Sequence, residues 1–315
     1  MLSIITAFYN SSKTLPKLIE CLKNQSNINF EWIIIDDCSK AKEKTSLMSL
    51  VKELPFSTKV QNNEINGGPG VSRTNGLKYS LGDYVVFVDS DDIISNDFVE
   101  IILSTFKNST AEIVSFDYAR IRGENTTVCK KIESTSAGEV PIERFLLYAK
   151  SSVCGCAFSR AFLKENNIVF PELYRYEDWV FNIRAAISST KIFYVEKVLY
   201  YYIFEPSSLV NSGRFDAGEF SIKAFSLINQ ELNAYDESVR DLLYAREVLY
   251  VNAVSKATRL SYKEYQRFLE ELKKNHSGSK LTHMDPISIH QKVILKLVDL
   301  KMYRLLRFGL KLITK

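Results

Sequence analysis

Two short apolar runs each end in acids, and this pattern constrains the fold more than any other feature. Glu31-Trp32-Ile33-Ile34-Ile35 leads into Asp36-Asp37, and Tyr84-Val85-Val86-Phe87-Val88 leads into Asp89-Ser90-Asp91-Asp92. Runs of this length and apolarity read as buried strands. Around them strand-like and helical stretches alternate. A strand is expected at Leu2–Phe8, helices at Thr14–Lys23 and Lys42–Leu54, and a strand at Thr58–Gln61. The loop Asn66-Gly67-Gly68-Pro69-Gly70 then opens a helix that runs to Leu81. Such alternation is the signature of a βαβ layer sandwich.

Farther on, the pattern predicts a helix at Asp97–Lys107, a strand at Glu112–Arg122 and a loop or hairpin over 123–140. Short helices follow at Ile142–Ala149 and Arg160–Glu165, then a longer one at Glu177–Ser188 and a β-rich segment at Ile192–Phe204. From about Phe215 onward strands give way to helical periodicity, broken by His276-Ser277-Gly278-Ser279 and by Pro286.

In an open α/β sheet, ligands bind beyond the carboxyl ends of the strands. Here two strands deliver Asp36, Asp37, Asp89, Asp91 and Asp92 to that edge. Converging carboxylates repel one another unless something positive lies among them, and an oxygen-liganded divalent ion such as Mg²⁺ or Mn²⁺ suits the role. Acids after strands also serve as turn and helix-cap residues. Two acidic groups on one edge, one of them spaced Asp-x-Asp, favour the ion.

The Gly-rich loop matches neither the P-loop nor the dinucleotide fingerprint. It brings backbone close to a ligand, with Arg73 one turn into the helix offering charge to a phosphate; a bare tight turn is the alternative. The first βα turn, Tyr9-Asn10-Ser11-Ser12, holds no glycine, which argues against a nicotinamide dehydrogenase. Tyr176-Glu177-Asp178-Trp179 sets an acid pair between two aromatic rings, a pattern suited to a general base beside a sugar ring. A helix-start acid favoured by the helix dipole is the plainer reading. The three histidines, His276, His283 and His290, all lie outside the body, so no Ser/His/Asp or Cys/His set is available there.

Taken in order, these blocks resemble the family 2 glycosyltransferases of the GT-A fold over roughly residues 1–210. The resemblance rests on Ile4-Ile5-Thr6-Ala7-Phe8-Tyr9-Asn10, Ile33-Ile34-Ile35-Asp36-Asp37-Cys38-Ser39, the loop Asn66–Gly70 with Arg73 and Gly76, and Val86–Asp92. Phe162–Phe170 leading to Glu177-Asp178, and Tyr200-Tyr201-Tyr202 before Ser207-Ser208, complete it. It implies a Rossmann-like mixed sheet flanked by helices. It also implies inverting transfer of a hexosyl or N-acetylhexosaminyl unit from a nucleotide-sugar, a UDP-sugar being the family's commonest donor.

By the same resemblance, Ala7, Tyr9 and Asp37 hold the nucleobase. Arg73 lies near the diphosphate or sugar, and Asp89, Ser90 and Asp91 form the Asp-x-Asp element, with Asp91 and Asp89 on Mn²⁺ or Mg²⁺. Asp178 is the catalytic base, with Tyr176, Glu177 and Trp179 facing the acceptor, a cell-surface or lipid-linked glycan. Two positions depart from the family's habit: Thr74 follows Arg73 where Asn is frequent, and Cys154-Gly155-Cys156-Ala157-Phe158 stands where a Trp and a Lys are frequent. The second puts the acceptor side in question. Rival readings are a non-catalytic nucleotide-sugar-binding partner subunit and a sugar nucleotidyltransferase. Retention of Asp91 and Asp178 speaks against the first, and the lack of a basic Gly-rich first loop against the second.

The expected organisation is a GT-A domain over 1–214, with a nucleotide-sugar half (1–95) and an acceptor half (96–214), then a helical region over 215–315. The overall charge of +4 points to no nucleic-acid partner, but its distribution is uneven. Residues 291–315 carry seven basic side chains against the single acid Asp299, a net +6 that leaves the rest at −2. From Val293 to Ile313 apolar residues interleave with these cations as in an amphipathic helix. Such a helix either docks on the body or lies on an anionic membrane surface. Five cysteines without paired spacing read as free, mostly buried thiols in a reducing compartment. With no signal-peptide pattern and no spanning stretch, the body is expected in the cytoplasm, peripheral on the inner face of the plasma membrane if the tail binds it.

Overall fold

The computed structural model describes residues 1–133, 135–150, 152–204, 217–232, 240, 261–273 and, apart from 295 and 299, 293–306. The chain divides into two compact units, Met1–Arg214 and Phe215–Lys315.

The first unit is built on a sheet of ten strands: β1 (Leu2–Phe8), β2 (Phe30–Asp36), β3 (Ser57–Asn62), β4 (Tyr84–Phe87), β5 (Ile93–Ile94), β6 (Ile113–Arg122), β7 (Asn125–Cys129), β8 (Gly138–Val140), β9 (Cys156–Ser159) and β10 (Ile192–Ile203). Its order is β3-β2-β1-β4-β9-β6-β10-β5, with β7 added beside β6 and β8 beside β10. The strands β3, β2, β1 and β4 run parallel. β9 then lies antiparallel between β4 and β6, turning a parallel layer into a mixed sheet. The helices are α1 (Leu15–Lys23), α2 (Ala41–Val51), α3 (Gly68–Tyr79), α4 (Phe98–Ser109), α5 (Ile142–Tyr148), α6 (Arg160–Glu165) and α7 (Glu177–Ser188).

Residue chemistry accounts for the central layers. All seven residues of β2 are buried, as befits a strand covered on both faces. α1 buries Leu15, Leu18, Ile19 and Leu22, a one-sided stripe at helical spacing, and Pro16 sits at its first turn where no N–H is missed. α3 instead approaches β1 through a near-bare face: a Cβ on Gly76 would lie 2.3 Å from Ile5 Cγ2.

An aromatic cluster holds α7 in place. The ring of Phe181 stacks on Phe170 at 3.9 Å and meets Phe87 of β4 and Phe158 of β9 edge-on at 5.6 and 5.2 Å. Burying such a ring contributes about 1.5–3 kcal/mol, and each favourable ring pair about 0.5–1.5 kcal/mol more. The start of α7 is thereby fixed beside the end of β4.

The polar stretch 123–140 forms β7, paired with β6 in a hairpin, and the short β8. Two strands, β5 and β9, have no counterpart in the periodicity; at two and four residues they are too short to show one.

In the second unit α8 (Ala217–Leu232) packs on α9 (Tyr262–Lys273), and Phe225, Ile228, Tyr265 and Leu269 on these helices are buried. The tail departs from the continuous helix expected over Val293–Ile313. Helical residues end at Leu300–Met302, where Lys301 adopts φ 55°. There the N–H of Met302 reaches the Leu297 carbonyl at 2.9 Å and that of Lys301 the Val298 carbonyl at 3.0 Å. These paired bonds form a Schellman cap, and 303–306 resume as helix. His276, His283, His290, Pro286, Ser207, Ser208 and residues 307–315 lie outside the described residues. Among the described residues no helix is long and apolar enough to cross a membrane.

Candidate active site

The parallel register brings the ends of β1, β2 and β4 to one edge. Asp37 N–H donates to the Phe8 carbonyl at 2.8 Å and Val88 N–H to that of Ile5 at 3.0 Å, so Tyr9, Asp37 and Asp89 emerge side by side. Ala7 pairs with Ile35 one step before this edge, and Tyr9 is 49% exposed just beyond it.

Asp37 is buried and its carboxylate is already engaged. Oδ1 accepts from Asn63 Nδ2 at 2.7 Å and Gly67 N–H at 2.9 Å, and Oδ2 accepts from Gly68 N–H at 2.8 Å. The acid thus ties the Gly-rich loop to the end of β2. The same loop is fastened on its far side by Tyr174, whose hydroxyl donates to the Asn66 carbonyl at 2.8 Å.

Arg73 is the hub of the site. Buried on α3, it donates through one guanidinium nitrogen to Asp89 Oδ1 at 2.7 Å and through the other to Glu177 Oε1 at 2.8 Å. One cation therefore joins the end of β4 to the start of α7. Glu177 faces inward on this bridge, unlike the acceptor contact expected of it. Trp179 requires a firmer correction: it is 1% exposed, so its ring belongs to the core and offers no face to an acceptor. A helix turns 100° per residue, which sends Trp179 inward while Asp178 stays partly open. Tyr176, half-buried at φ 66°, caps α7 and meets the edge of the Trp179 ring at 6.2 Å.

The acid pair on α7 is electrostatically primed. Burial, then the nearby Asp178 charge, push Glu177 up to about 7 despite the opposing pull of Arg73. Asp178 is also raised, chiefly by desolvation and further by Asp89, while Arg73 and Lys131 pull the other way. Val153 N–H donates to Asp178 Oδ2 at 3.4 Å. A carboxylate raised in this manner is a stronger base than a solvated one.

Around Asp89 the residues that converge differ from the expected Asp89 and Asp91. Ligand atoms of Asp89, Asp92 and Cys154 lie within 4.8 Å of one another. The Cys154 thiol donates to Asp89 Oδ2 at 3.7 Å, and burial beside Asp89 and Asp92 pushes that thiol well up. Asp92 is also pushed up, by burial and then by Asp89 and Asp91, the repulsion that a cation relieves. The carboxylates that converge here therefore fit an oxygen-liganded divalent ion. Asp91 stands at the same turn, partly exposed.

Sequence reasoning placed Asp92 on the acidic edge but assigned the ion to Asp89 and Asp91 alone. It missed Cys154 altogether, since nothing local marks that thiol as a neighbour of Asp89. Tyr200 was noted only as part of a motif, yet it supports the turn. Its hydroxyl donates to Asp92 Oδ2 at 2.5 Å and accepts from Asp89 N–H at 3.2 Å. Ser90 bonds the Ser11 hydroxyl at 2.8 Å, closing the turn onto the loop after β1. All five cysteines are free, but only Cys154 and Cys156 are buried.

A mixed sheet with acids at its carboxyl edge, joined through Arg73 to an acid pair on a helix start, defines a GT-A nucleotide-sugar transferase frame. Residues 3–167, just over half of the chain, match the family described as Glycosyl transferase family 2. The chain belongs to that family. It is 28% identical over 250 residues to the poly(ribitol-phosphate) beta-N-acetylglucosaminyltransferase TarS of Staphylococcus aureus, a stretch covering 77% of this chain and 43% of TarS. The chain thus spans under half the length of that relative. The putative glycosyltransferase EpsH of Bacillus subtilis is 27% identical, covering 76% of this chain and 72% of EpsH. Among solved structures, S. aureus TarS 1-349 in complex with UDP-GlcNAc superposes with a TM-score of 0.74 at 25% identity, covering 86% of this chain and 79% of that one.

Proposed function

We propose that this chain is an inverting glycosyltransferase that moves a hexosyl or N-acetylhexosaminyl unit from a UDP-sugar to a hydroxyl of a growing cell-surface glycan. The observation that carries the reading is the Arg73 bridge. It sets the raised acid pair of α7 against the aspartate that ends β4, joining residues 104 apart in sequence. TarS, whose name specifies N-acetylglucosaminyl transfer and whose crystal structure holds UDP-GlcNAc, supports the choice of donor class.

In the reaction, the donor lies along the carboxyl edge, with its base between Ala7, Tyr9 and the Asp37 turn and its sugar toward Asp89 and Ser90. Asp178 takes the proton of the acceptor hydroxyl as that oxygen attacks the anomeric carbon, opposite the departing nucleoside diphosphate. One displacement inverts the centre, and no covalent intermediate is required. Arg73 holds Asp89 and Glu177 in register and places positive charge beside the developing anion. Asp89, with Asp91, Asp92 and Cys154 about it, would hold a divalent cation, whose chemistry when bound is to offset charge on the leaving diphosphate.

A panel of UDP-Glc, UDP-GlcNAc, UDP-Gal and UDP-GalNAc, followed by UDP release with Mn²⁺, Mg²⁺ or EDTA, tests this reading. Turnover of one or more donors is expected, lost with EDTA. Binding without any release would instead favour a non-catalytic partner subunit.

The proposal extends to the tail. Val293, Leu300, Met302 and Leu305 are 52, 60, 41 and 56% exposed, interleaved with exposed Lys296, Lys301 and Arg304. That mixture suits the interface of an anionic membrane, each cation there contributing about 1 kcal/mol. Flotation with phosphatidylglycerol vesicles should carry the full chain and leave behind one ending at Pro286. Equal flotation of both removes the idea.

A further inference from the structure

Among the described residues, Lys131 is the largest charged side chain wholly withdrawn from solvent, and nothing in the reaction as described uses it. It follows β7, and its backbone is pinned on both sides. Its N–H donates to Asp117 Oδ1 at 2.7 Å, an oxygen also held by the Tyr194 hydroxyl at 2.7 Å. Its carbonyl accepts from Lys150 N–H at 2.9 Å, and Ile132 bridges Ala149. The ammonium then donates to two backbone carbonyls, that of Lys150 at 2.7 Å and that of Ser152.

Those carbonyls belong to the segment that touches the chemistry. Val153 N–H faces Asp178 Oδ2, and the Cys154 thiol faces Asp89 Oδ2. The path of the lysine stem depends on the next residue. Gly155 has φ +98°, and a Cβ there would lie 2.9 Å from the Phe116 carbonyl oxygen and 3.3 Å from Lys131 Cδ. A side chain at 155 would meet both strained backbone and the stem. A buried ammonium is costly unless its hydrogen bonds are met. Here neutral carbonyls meet them, so its positive field is not cancelled at short range by an acid.

We infer that Lys131 is a positioning residue for the proposed base: its ammonium, held by the Lys150 and Ser152 carbonyls, fixes residues 152–154 so that the Val153 amide orients Asp178, and its charge favours the ionised carboxylate. The inference rests on Asp178 being that base. Asp178 is faced by Glu177 and Tyr176 on its own helix, by Arg73 on α3, by Asp89 beyond β4 and by Lys131. Of these charged groups Arg73 and Lys131 favour its anion, as does the Val153 N–H, and Arg73 is shared with two other acids.

The test is the pH profile of UDP-sugar turnover in Lys131→Met and Lys131→Arg. With the cation gone, the acid limb of kcat/KM should move to higher pH by about half a unit or more. Turnover at pH 7 should fall about tenfold, with UDP-sugar affinity kept within about twofold of wild type. Lys131→Arg should return the limb toward its original position. If the methionine variant does not fold, Lys131→Gln, which keeps an N–H donor without the charge, is measured in its place. An unmoved limb, or donor affinity falling in step with turnover, overturns the role of Lys131. Asp178→Asn measured alongside separates the two levels: inactivity there leaves the base reading standing, while wild-type turnover overturns both.

Discussion

Asp37 at the end of β2 and the Glu177–Asp178 pair at the start of α7 are acids whose surroundings assign them different work. Asp37 sits at a strand end where three N–H donors from Asn63, Gly67 and Gly68 meet its oxygens. Its charge is used up in shaping a loop. The α7 acids have fewer donors, share one arginine, and press on each other, so their pKa values rise. Hydrogen bonds make a carboxylate structural; desolvation with too few of them makes it reactive.

The contrast breaks most visibly under amide substitution. Asp178→Asn should lower turnover by about 10² to 10⁴ with UDP-sugar affinity intact. Asp37→Asn should do the reverse. It removes an acceptor facing the loop amides, at a cost of about 1–3 kcal/mol, and should weaken donor binding about tenfold with a smaller effect on turnover. Calorimetric affinities beside steady-state rates check both, and matched losses of affinity and rate in the two variants would erase the distinction.

A smaller effect concerns pH. Glu177 has a folded pKa of about 7 against an ordinary 4.5, so the fold favours its protonated form. The stability this contributes is complete below about 4.5 and is lost as pH rises through about 7, roughly 3–4 kcal/mol at most. Urea unfolding at pH 5 and pH 8 should therefore show a steeper loss for wild type than for Glu177→Gln. Parallel losses would place the raised acid elsewhere.

Much of the catalytic frame was legible because its signals are local. Apolar runs ending in acids specify buried strands and an acidic edge, and strand direction follows from the helices between them. The helix at Glu177–Ser188 and the β-rich segment at Ile192–Phe204 were likewise written in short-range periodicity. What escaped was set by neighbours distant in sequence. β9 is a strand because β4 and β6 leave a slot between them, and four residues cannot announce that. Trp179 carries an aromatic that reads as a sugar platform, yet the Phe87, Phe158 and Phe170 cluster fixes the rotation of α7 and turns that ring inward. The tail helix ends at Lys301, a residue type with no propensity to mark a left-handed cap.

Sequence alone therefore determined the layer architecture, the acidic strand ends and the acid pair at 177–178, because each depends on residues within a few positions. Only the tertiary structure decided which acids meet: that Arg73 joins Asp89 to Glu177, that Cys154 and Asp92 stand beside Asp89, and that Lys131 lies behind Asp178. Those pairings depend on burial and on distances across the sheet, and both exist only once the chain has closed on itself.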